Sequence, residues 1–371
     1  MHITVKEIHS KKDIREFIKF PHKLYKDNSN YVPVLDSDQY TSLTKSPSLE
    51  YCRIRMWLAF SPEGEIVGRI AAIMNPRVNE YQETKRIRFG WFDFVDDIEV
   101  SGALLRKVEE WGREEGMSEI HGPLAYNTWG RQGMLTEGFE NTPPANCLYN
   151  YAYYPKHIET LNYSKQVEWI QIKITANVGV PDKLKRLNDL LLKKYNLRIM
   201  EIKEFKRDKD LLMDFFRSYN ESFRNIDNFV PLTVPEILKI GKDYMGMLDP
   251  DLTCIVVDQN RRVAAFAVCF PSLSEPLKKA KGSLWPFGWY YLMKGLKKYR
   301  SIDLMLLGAA PEWQNKGISS IIHTYLATRF KELSIDYAIT NPQAEDNSVY
   351  KVWESYEHVP YMRRRCYIKN L

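Results

Sequence analysis

The sequence lacks the features of metal-binding, disulfide-bonded and membrane-spanning proteins. Its five cysteines form no CxxC pair and no Cys/His cluster at metal-ligand spacing, so we expect no metal site and no disulfide framework. No uncharged run reaches the roughly 18 residues that a membrane-spanning helix needs. The first residues lack the apolar segment of a signal peptide. These absences predict a cytoplasmic protein with reduced thiols and no transmembrane segment.

The composition is that of a globular protein of about two domains. Of the 371 residues, 44% are hydrophobic and 27% are charged, which excludes an intrinsically disordered chain. The net charge of +6 is small for this length. It suits a polyanionic small molecule, and it is too weak by itself to indicate nucleic-acid binding.

The two halves carry the same order of predicted elements, offset by about 200 to 220 positions. In the first half, periodicity predicts strands at 65–75 and 86–94, a helix at 101–116 and a strand at 118–124. In the second half, it predicts strands at 261–270 and 301–309, a helix beginning near 318 and a strand at 334–342. This repetition indicates two related units, each with a β-β-α-β centre.

The join between these units is predicted near residues 175–199. Gly179 and Pro181 end a strand, and Asp182 is placed to cap the helix that follows. We therefore predict an N-terminal domain at 1–178, a linker helix at 179–196 and a C-terminal domain at 197–371. The predicted fold class is α/β (α+β), with each domain a mixed, mostly antiparallel sheet flanked by helices.

The stretch "PEWQNKGISSIIHTYL" (311–326) follows an apolar strand and has two interpretations. In the first, Gly317 brings the backbone close to a phosphate, which binds the free N–H groups at the start of the helix. Gln314 then adds an amide donor and Lys316 a positive charge. In the second, Pro311 starts an ordinary surface helix. Spacing alone does not decide between them.

The loop at 314–319 resembles motif A of the GNAT acetyltransferases, whose pattern is Arg/Gln-x-x-Gly-x-Gly/Ala. Ser319 departs from this pattern but is small. The resemblance implies that the loop amides hold the pyrophosphate of acetyl-CoA or another acyl-CoA. It further implies that the backbone near Gly308 and Ala309 receives the pantetheine arm and polarises the thioester carbonyl. The cofactor-binding residues so implied are Gly308, Ala309, Gln314, Asn315, Lys316, Gly317, Ile318, Ser319 and Asn347.

Other segments extend this resemblance over the whole chain, to bacterial tandem-GNAT proteins. These segments are "FPHKLYKDNSNYVPVL", "HGPLAYNTWGRQGMLTEGFENTPP" and "NFVPLT". The implied activity is N-acetyl transfer from acetyl-CoA to a small-molecule or peptide amine. In the first half, residues 94–105 lack the loop pattern, and Asp96, Asp97 and Glu99 place negative charge where a diphosphate would sit. We interpret that half as a degenerate copy that has lost CoA.

The segment that should carry the catalytic acid departs from the family pattern. In the GNAT family a tyrosine on the helix after the fifth strand often protonates the leaving thiolate, but here Glu354 stands at its position. Tyr350, one helical turn earlier, is our first candidate for the acid, and Tyr356 is the second. The alternative is that Tyr350 and Trp353 only form the apolar face of that helix. His323 is predicted to lie at the surface.

An insertion at 271–300 interleaves cations with aromatic residues. Its members are Lys278, Lys279, Lys281, Lys294, Lys297, Lys298 and Arg300, with Trp285, Phe287, Trp289, Tyr290 and Tyr291. Such a segment can bind a membrane surface or nucleic acid, or form a helix that packs on the sheet with a lysine-rich outer face. The leading hypothesis remains an N-acetyltransferase. The alternatives are a non-catalytic acyl-CoA-binding protein and a surface binder acting through 271–300, with nucleic acid disfavoured.

Overall fold

The structure, a computed structural model, describes residues 3–346, 353 and 356–371 of the chain. The strands are β1 Thr4–Glu7, β2 Arg53–Phe60, β3 Ile66–Met74, β4 Arg86–Phe94, β5 Glu119–Gly122, β6 Met134–Glu137, β7 Ser164–Thr175, β8 Arg198–Ile199, β9 Thr253–Val257, β10 Val263–Pro271, β11 Ser301–Ala309, β12 Tyr337–Thr340, β13 Gln343–Ala344 and β14 His358–Asn370. The helices are α1 Lys11–Leu24, α2 Asp36–Lys45, α3 Pro76–Tyr81, α4 Ile98–Glu114, α5 Tyr153–Thr160, α6 Asp182–Lys194, α7 Ile202–Phe205, α8 Lys209–Ser222, α9 Val234–Tyr244, α10 Ser274–Ala280, α11 Gly288–Lys297 and α12 Ser319–Glu332.

These strands form one sheet across both halves in the described part of the chain. Its order is β1-β2-β3-β4-β5-β14-β7-β12-β11-β10-β9-β8, with β6 beside β14 and β13 beside β7. Neighbours are antiparallel except for β4 with β5 and β11 with β12. Each parallel pair is joined by one crossover helix, α4 or α12, as parallel connections require. The mixed, mostly antiparallel sheet with flanking helices confirms the predicted fold class.

The two halves exchange their last strands. β14, from the end of the chain, pairs with β5 of the first half, and β7, from the first half, pairs with β12 of the second. β7 and β14 also pair with each other along most of their lengths. Because the exchange joins the halves through backbone hydrogen bonds, the sheet itself has no break between them. The domain limits 1–178, 179–196 and 197–371 remain a prediction.

Helices α4 and α12 bury equivalent faces. α4 buries Leu104, Val108 and Trp111, and α12 buries Ile322 and Leu326, as the helical periodicity predicts. α4 begins three residues earlier than predicted because the side chain of the preceding residue accepts the N–H of the second helical residue. The predicted cap of α6 is wrong: the helix starts at the aspartate itself, and proline occupies the N-cap position without a side-chain hydrogen bond.

A β-bulge occurs at the same place in each half. In the first half, Trp91 and Phe92 of β4 face a single residue of β3, and Trp91 has a φ of 44°. In the second half, Met305 is the extra residue of β11 opposite the junction of Val268 and Cys269. Trp91 and Met305 are 214 positions apart, which agrees with the offset of the sequence repeat. Bulges often re-aim side chains beside active sites.

The insertion at 271–300 forms a helical hairpin of α10 and α11. The two helices approach closely, since a Cβ at Gly295 would lie 2.5 Å from a ring carbon of Pro276 and one at Gly288 would lie 3.1 Å from the Cβ of Ala280. Among the helices of the described residues, none has both the length and the hydropathy required to cross a bilayer.

Candidate functional site

The strands β11 and β12 separate halfway along β11. They pair from Ser301 to Leu304, and the last hydrogen bond between them runs from the N–H of Asn341 to the carbonyl oxygen of Leu304, at 2.9 Å. Beyond this point β11 continues to Ala309, and among the described residues only β10 pairs with this part of it. The backbone at 305–309 therefore faces an opening, where polar groups of the strand are available to a ligand.

The loop after β11 is exposed and contains two left-handed residues. Asn315 has a φ of 59° and Gly317 a φ of 77°. The side-chain amide of Gln314 donates to the carbonyl oxygen of Ala309 at 3.1 Å, so it closes the loop and does not extend towards a ligand. The ammonium of Lys316 lies 4.8 Å from the ring centre of Trp313. The loop thus presents its backbone and one cation to solvent.

The N-terminus of α12 is open to an anion. No side chain caps the helix, and within the described residues the backbone N–H groups of 315–319 have no hydrogen-bond acceptor. The Ser320 hydroxyl is used internally, since it lies within hydrogen-bond distance of two acceptors, the carbonyl oxygen of Gly317 and Oδ1 of Asn188 in α6. Unpaired N–H groups at the positive end of a helix dipole form a phosphate-binding arrangement. The geometry therefore fits the phosphate interpretation of this loop.

Close packing explains why residue 308 is a glycine, a constraint that the sequence alone does not show. A Cβ at this position would lie 2.7 Å from a ring carbon of the buried Phe266. We predict that Gly308→Ala destabilises the protein by about 1–3 kcal/mol through overpacking, measured by denaturant unfolding. Gly246→Ala is the control, because a Cβ there meets nothing within 4 Å. Wild-type stability of Gly308→Ala would contradict this assignment.

Two cavities adjoin at the bulge of β11. One, of about 390 Å³, lies in the opening between β11 and β12. The other, of about 740 Å³, lies between the halves, beneath α9 and the α10–α11 hairpin. Both are lined by Trp129, Gly130, Asn146 and Met305. The segment 125–131 of the first half thus forms a wall of both cavities.

The larger cavity, which we call the inter-half cavity, has an acidic polar lining. Its charged residues are Asp38, Arg131, Glu236, Lys239, Asp243 and Asp303. Lys239 is paired with Asp243. Glu236 is buried, and although burial opposes its ionisation, hydrogen bonds from Ser48 and Tyr51 lower its pKa. The excess of carboxylates favours a cationic group in this cavity.

Asp303 is the one buried carboxylate of β11, and no motif in the sequence marks it. It lies two residues before the bulge, in the wall of the inter-half cavity, and is 5% exposed. Burial raises its pKa to about 7, against hydrogen bonds from Ser272 and the Ala145 backbone that lower it. Its Oδ1 has no hydrogen-bond partner among the described residues. The feature of the sequence that could have indicated this residue is a single aspartate within the otherwise apolar strand "SIDLMLLGA".

Of the two tyrosines proposed as the catalytic acid, the structure describes only Tyr356. Tyr350, together with the predicted ligand Asn347, lies outside the described residues. The Tyr356 hydroxyl lies 3.4 Å from Nδ1 of His323, beside a small cavity of about 40 Å³ on the opposite face of β11. Burial raises the pKa of Tyr356 and lowers that of His323 to about 4. His323, predicted to lie at the surface, is half-buried, and the acid role of Tyr356 stays a prediction.

In the first half, the opening beside the bulge of β4 holds a smaller cavity of about 150 Å³, and α5 packs against the end of β4. The hydroxyl of Tyr153 donates to the carbonyl oxygen of Phe94, and the N–H of Phe94 donates to the hydroxyl of Tyr154. The rings of Phe94 and Tyr154 stack at 4.1 Å. His157 contacts Asp96 at 2.9 Å. The end of β4 is thus bound by the protein itself, and the loss of CoA from this half stays a prediction.

Comparison with known proteins finds two curated relatives over most of the chain. Protein YghO of Escherichia coli K12 is 29% identical over 378 residues, covering 98% of this chain and 94% of YghO. A bacterial ceramide synthase of Caulobacter vibrioides is 23% identical over 343 residues, covering 90% of this chain and 88% of that protein. No family profile matches the chain.

Solved structures resemble the chain over its whole length. A glucosamine N-acetyltransferase region of a fungal multi-domain β-N-acetylglucosaminidase has a TM-score of 0.60 at 13% identity, with 99% of this chain and 38% of that one aligned. A tandem GNAT protein from the clavulanic acid biosynthesis pathway has a TM-score of 0.57 at 10% identity, with 100% and 98% aligned. The chain therefore has the fold of the GCN5-related N-acetyltransferase (GNAT) superfamily, in its tandem arrangement.

Proposed function

We propose that the protein is an acyl-CoA-dependent N-acyltransferase whose second half binds the acyl donor and whose acceptor is a primary amine. The observation that carries this proposal is the opening of β11 beside the uncapped start of α12. It is the arrangement that the GNAT resemblance assigns to acyl-CoA. The likeness to acetyltransferase structures and to a ceramide synthase supports the same reaction class.

The donor would occupy the opening and the loop that follows it. The N–H groups of 315–319 are positioned for the pyrophosphate, with Lys316 adding positive charge. The backbone at 305–309 is positioned for the amide groups of the pantetheine arm. The carbonyl oxygen of Ala309 already accepts hydrogen bonds from Gln314 and Ser222, so it is not available to the amide N–H groups of that arm. We assign the thioester to the bulge at Met305 because the donor and acceptor cavities adjoin there.

The acceptor would occupy the inter-half cavity. Its volume of about 740 Å³ lies within the range of small-molecule sites. Its apolar lining includes Leu273, Leu277, Leu292 and Leu296, and its acidic groups suit an ammonium. We therefore propose a long-chain amine, a class to which the acceptor of a ceramide synthase belongs.

Asp303 is the proposed general base. The ionised carboxylate takes a proton from the ammonium, and the amine nitrogen then attacks the thioester carbonyl. The C–N bond forms as the C–S bond breaks, the attacking nitrogen gives up its second proton to the departing CoA thiolate, and Asp303 releases the first proton to solvent. The products are the amide and free CoA. An unpaired oxygen on Asp303, adjoining the bulge, is suited to this proton transfer.

Calorimetry and thiol release together test the proposed function. Titration with acetyl-CoA and palmitoyl-CoA measures donor binding. Release of free CoA thiol is then followed with a panel of amines: a sphingoid base, glucosamine and a short alkylamine. We expect binding of at least one acyl-CoA, and turnover with the long-chain amine. Binding without turnover on any amine would favour the non-catalytic alternative, and no binding would refute the proposal.

A further inference from the structure

The tip of the α10–α11 hairpin exposes a dense apolar cluster. Of the thirteen large hydrophobic side chains that are exposed among the described residues, six lie within the ten positions 284–293. They are Leu284, Trp285, Phe287, Trp289, Tyr290 and Met293. Trp285 is 80% exposed and Phe287 is 65% exposed. Contiguous exposed apolar surface of this kind marks an interaction site.

Helix α11 presents this cluster and a group of lysines along one outward stripe. The exposed positions recur in pairs, 289–290, 293–294 and 297–298, while the intervening residues are half-buried. The N-terminal part of the stripe is apolar, and the C-terminal part consists of Lys294, Lys297 and Lys298. An amphipathic helix with aromatic residues and lysines distributed in this way is typical of binding at a bilayer interface.

The charge of the hairpin is strongly positive. Residues 271–300 hold seven basic residues and one acidic residue, Glu275, so their formal charge of +6 equals the net charge of the whole chain. Lys278 pairs with Glu275, and Arg300 pairs with Asp336. Within the described residues the five other lysines of this segment form no ion pair. Their charge is therefore available to an anionic surface.

The hairpin is held rigidly over the inter-half cavity. Ser274 donates to the carbonyl oxygen of Pro143, and the N–H of Asp36 donates to the carbonyl oxygen of Gly282. These bonds attach the hairpin to the first half. Leu292 and Leu296 of α11 line the cavity while its stripe faces outwards. One helix thus separates the cavity from the exposed cluster.

We propose that the α10–α11 hairpin docks the protein onto an anionic phospholipid bilayer. Residues 284–293 would enter the interface, and the lysines would lie against lipid phosphates. Nucleic acid fits less well because Leu284 and Met293 cannot stack on bases as aromatic rings do. The docking does not depend on the proposed function. If both hold, docking would place the inter-half cavity beside the source of a lipid amine.

Co-sedimentation with vesicles tests this docking on the full chain. The vesicles contain phosphatidylcholine alone or with about one third phosphatidylglycerol. We expect binding to the anionic vesicles only, weakened by salt. Reversing Lys294, Lys297 and Lys298 to glutamate should weaken it at least about 100-fold. Trp285→Ser, Phe287→Ser and Trp289→Ser combined should weaken it at least about 10-fold.

Two control variants match these changes elsewhere on the surface. Reversing the exposed Lys11, Lys12 and Lys19 alters the net charge equally, and Leu187→Ser with Leu190→Ser removes exposed apolar side chains from α6. Both should bind vesicles like the wild type. Absence of binding, or wild-type binding by the triple-serine variant, would overturn the proposal. So would tighter binding to a DNA oligonucleotide that competes with vesicles. None of these outcomes depends on acyl transfer.

Discussion

Replacing Asp303 by asparagine is expected to lower kcat by about 10²–10⁴-fold, the usual contribution of a general base. Burial raises the pKa of Asp303 to about 7. Below that pH the carboxyl group is protonated and cannot accept the proton of the ammonium. The wild-type rate should therefore rise with pH through about 7, and the asparagine variant should lack this rise. Steady-state thiol release across pH 5–9 measures both effects.

The same substitution should raise stability, which distinguishes a poised base from a structural residue. Because the folded-state pKa exceeds that of the unfolded chain, the folded protein binds more protons between pH ~4 and ~7, and wild-type stability falls as pH rises through that window. Asp303→Asn should thus be more stable at pH 8, by at most about 4 kcal/mol, and equal to wild type below pH 4.

Asp38→Asn is the comparison variant for this experiment. Asp38 also lines the inter-half cavity but is exposed, so its loss should weaken amine binding and raise KM. The rise of the rate near pH 7 should persist. If Asp303→Asn keeps both the wild-type kcat and that rise, Asp303 is not the base, and Tyr356 or the undescribed Tyr350 becomes the next residue to test.

Gly317→Glu is expected to weaken acyl-CoA binding by about 1,000-fold. The φ of 77° at Gly317 disfavours any residue with a side chain. The added carboxylate would also stand at the phosphate-binding end of α12, where repulsion between two charges about 4 Å apart is on the order of 4 kcal/mol at an effective dielectric of 20. Isothermal titration with acetyl-CoA measures the loss of affinity.

Gly64→Glu supplies the matched control for the loop. Gly64 has a similar φ of 83°, and a Cβ there meets nothing within 4 Å. It lies in the turn before β3, in the first half, so this substitution carries the same backbone strain and charge change away from the loop. Equal losses of acyl-CoA affinity in both variants would show that strain or net charge is responsible, and would refute phosphate binding at 314–319.

Local pattern alone located the strand that carries the bulge in each half. The strand at 86–94 and the strand at 301–309 were predicted with the bounds that the structure has, since their apolar residues run continuously through a buried sheet. The loop at 314–319 was found because a glycine after such a strand changes the backbone locally. These features depend on neighbours in sequence, which one sequence is sufficient to show.

Tertiary structure decided what surrounds those elements. The exchange of β7 and β14 pairs residues about 200 positions apart, and no local pattern encodes that choice. The inter-half cavity is walled by segments from both halves, and only burial within it gives Asp303 its raised pKa. The sequence by itself determined the repeat, its elements and the candidate phosphate loop. The cavity, the buried carboxylate and the outward stripe of α11 depend on contacts between distant residues, and only the folded chain brings those residues together.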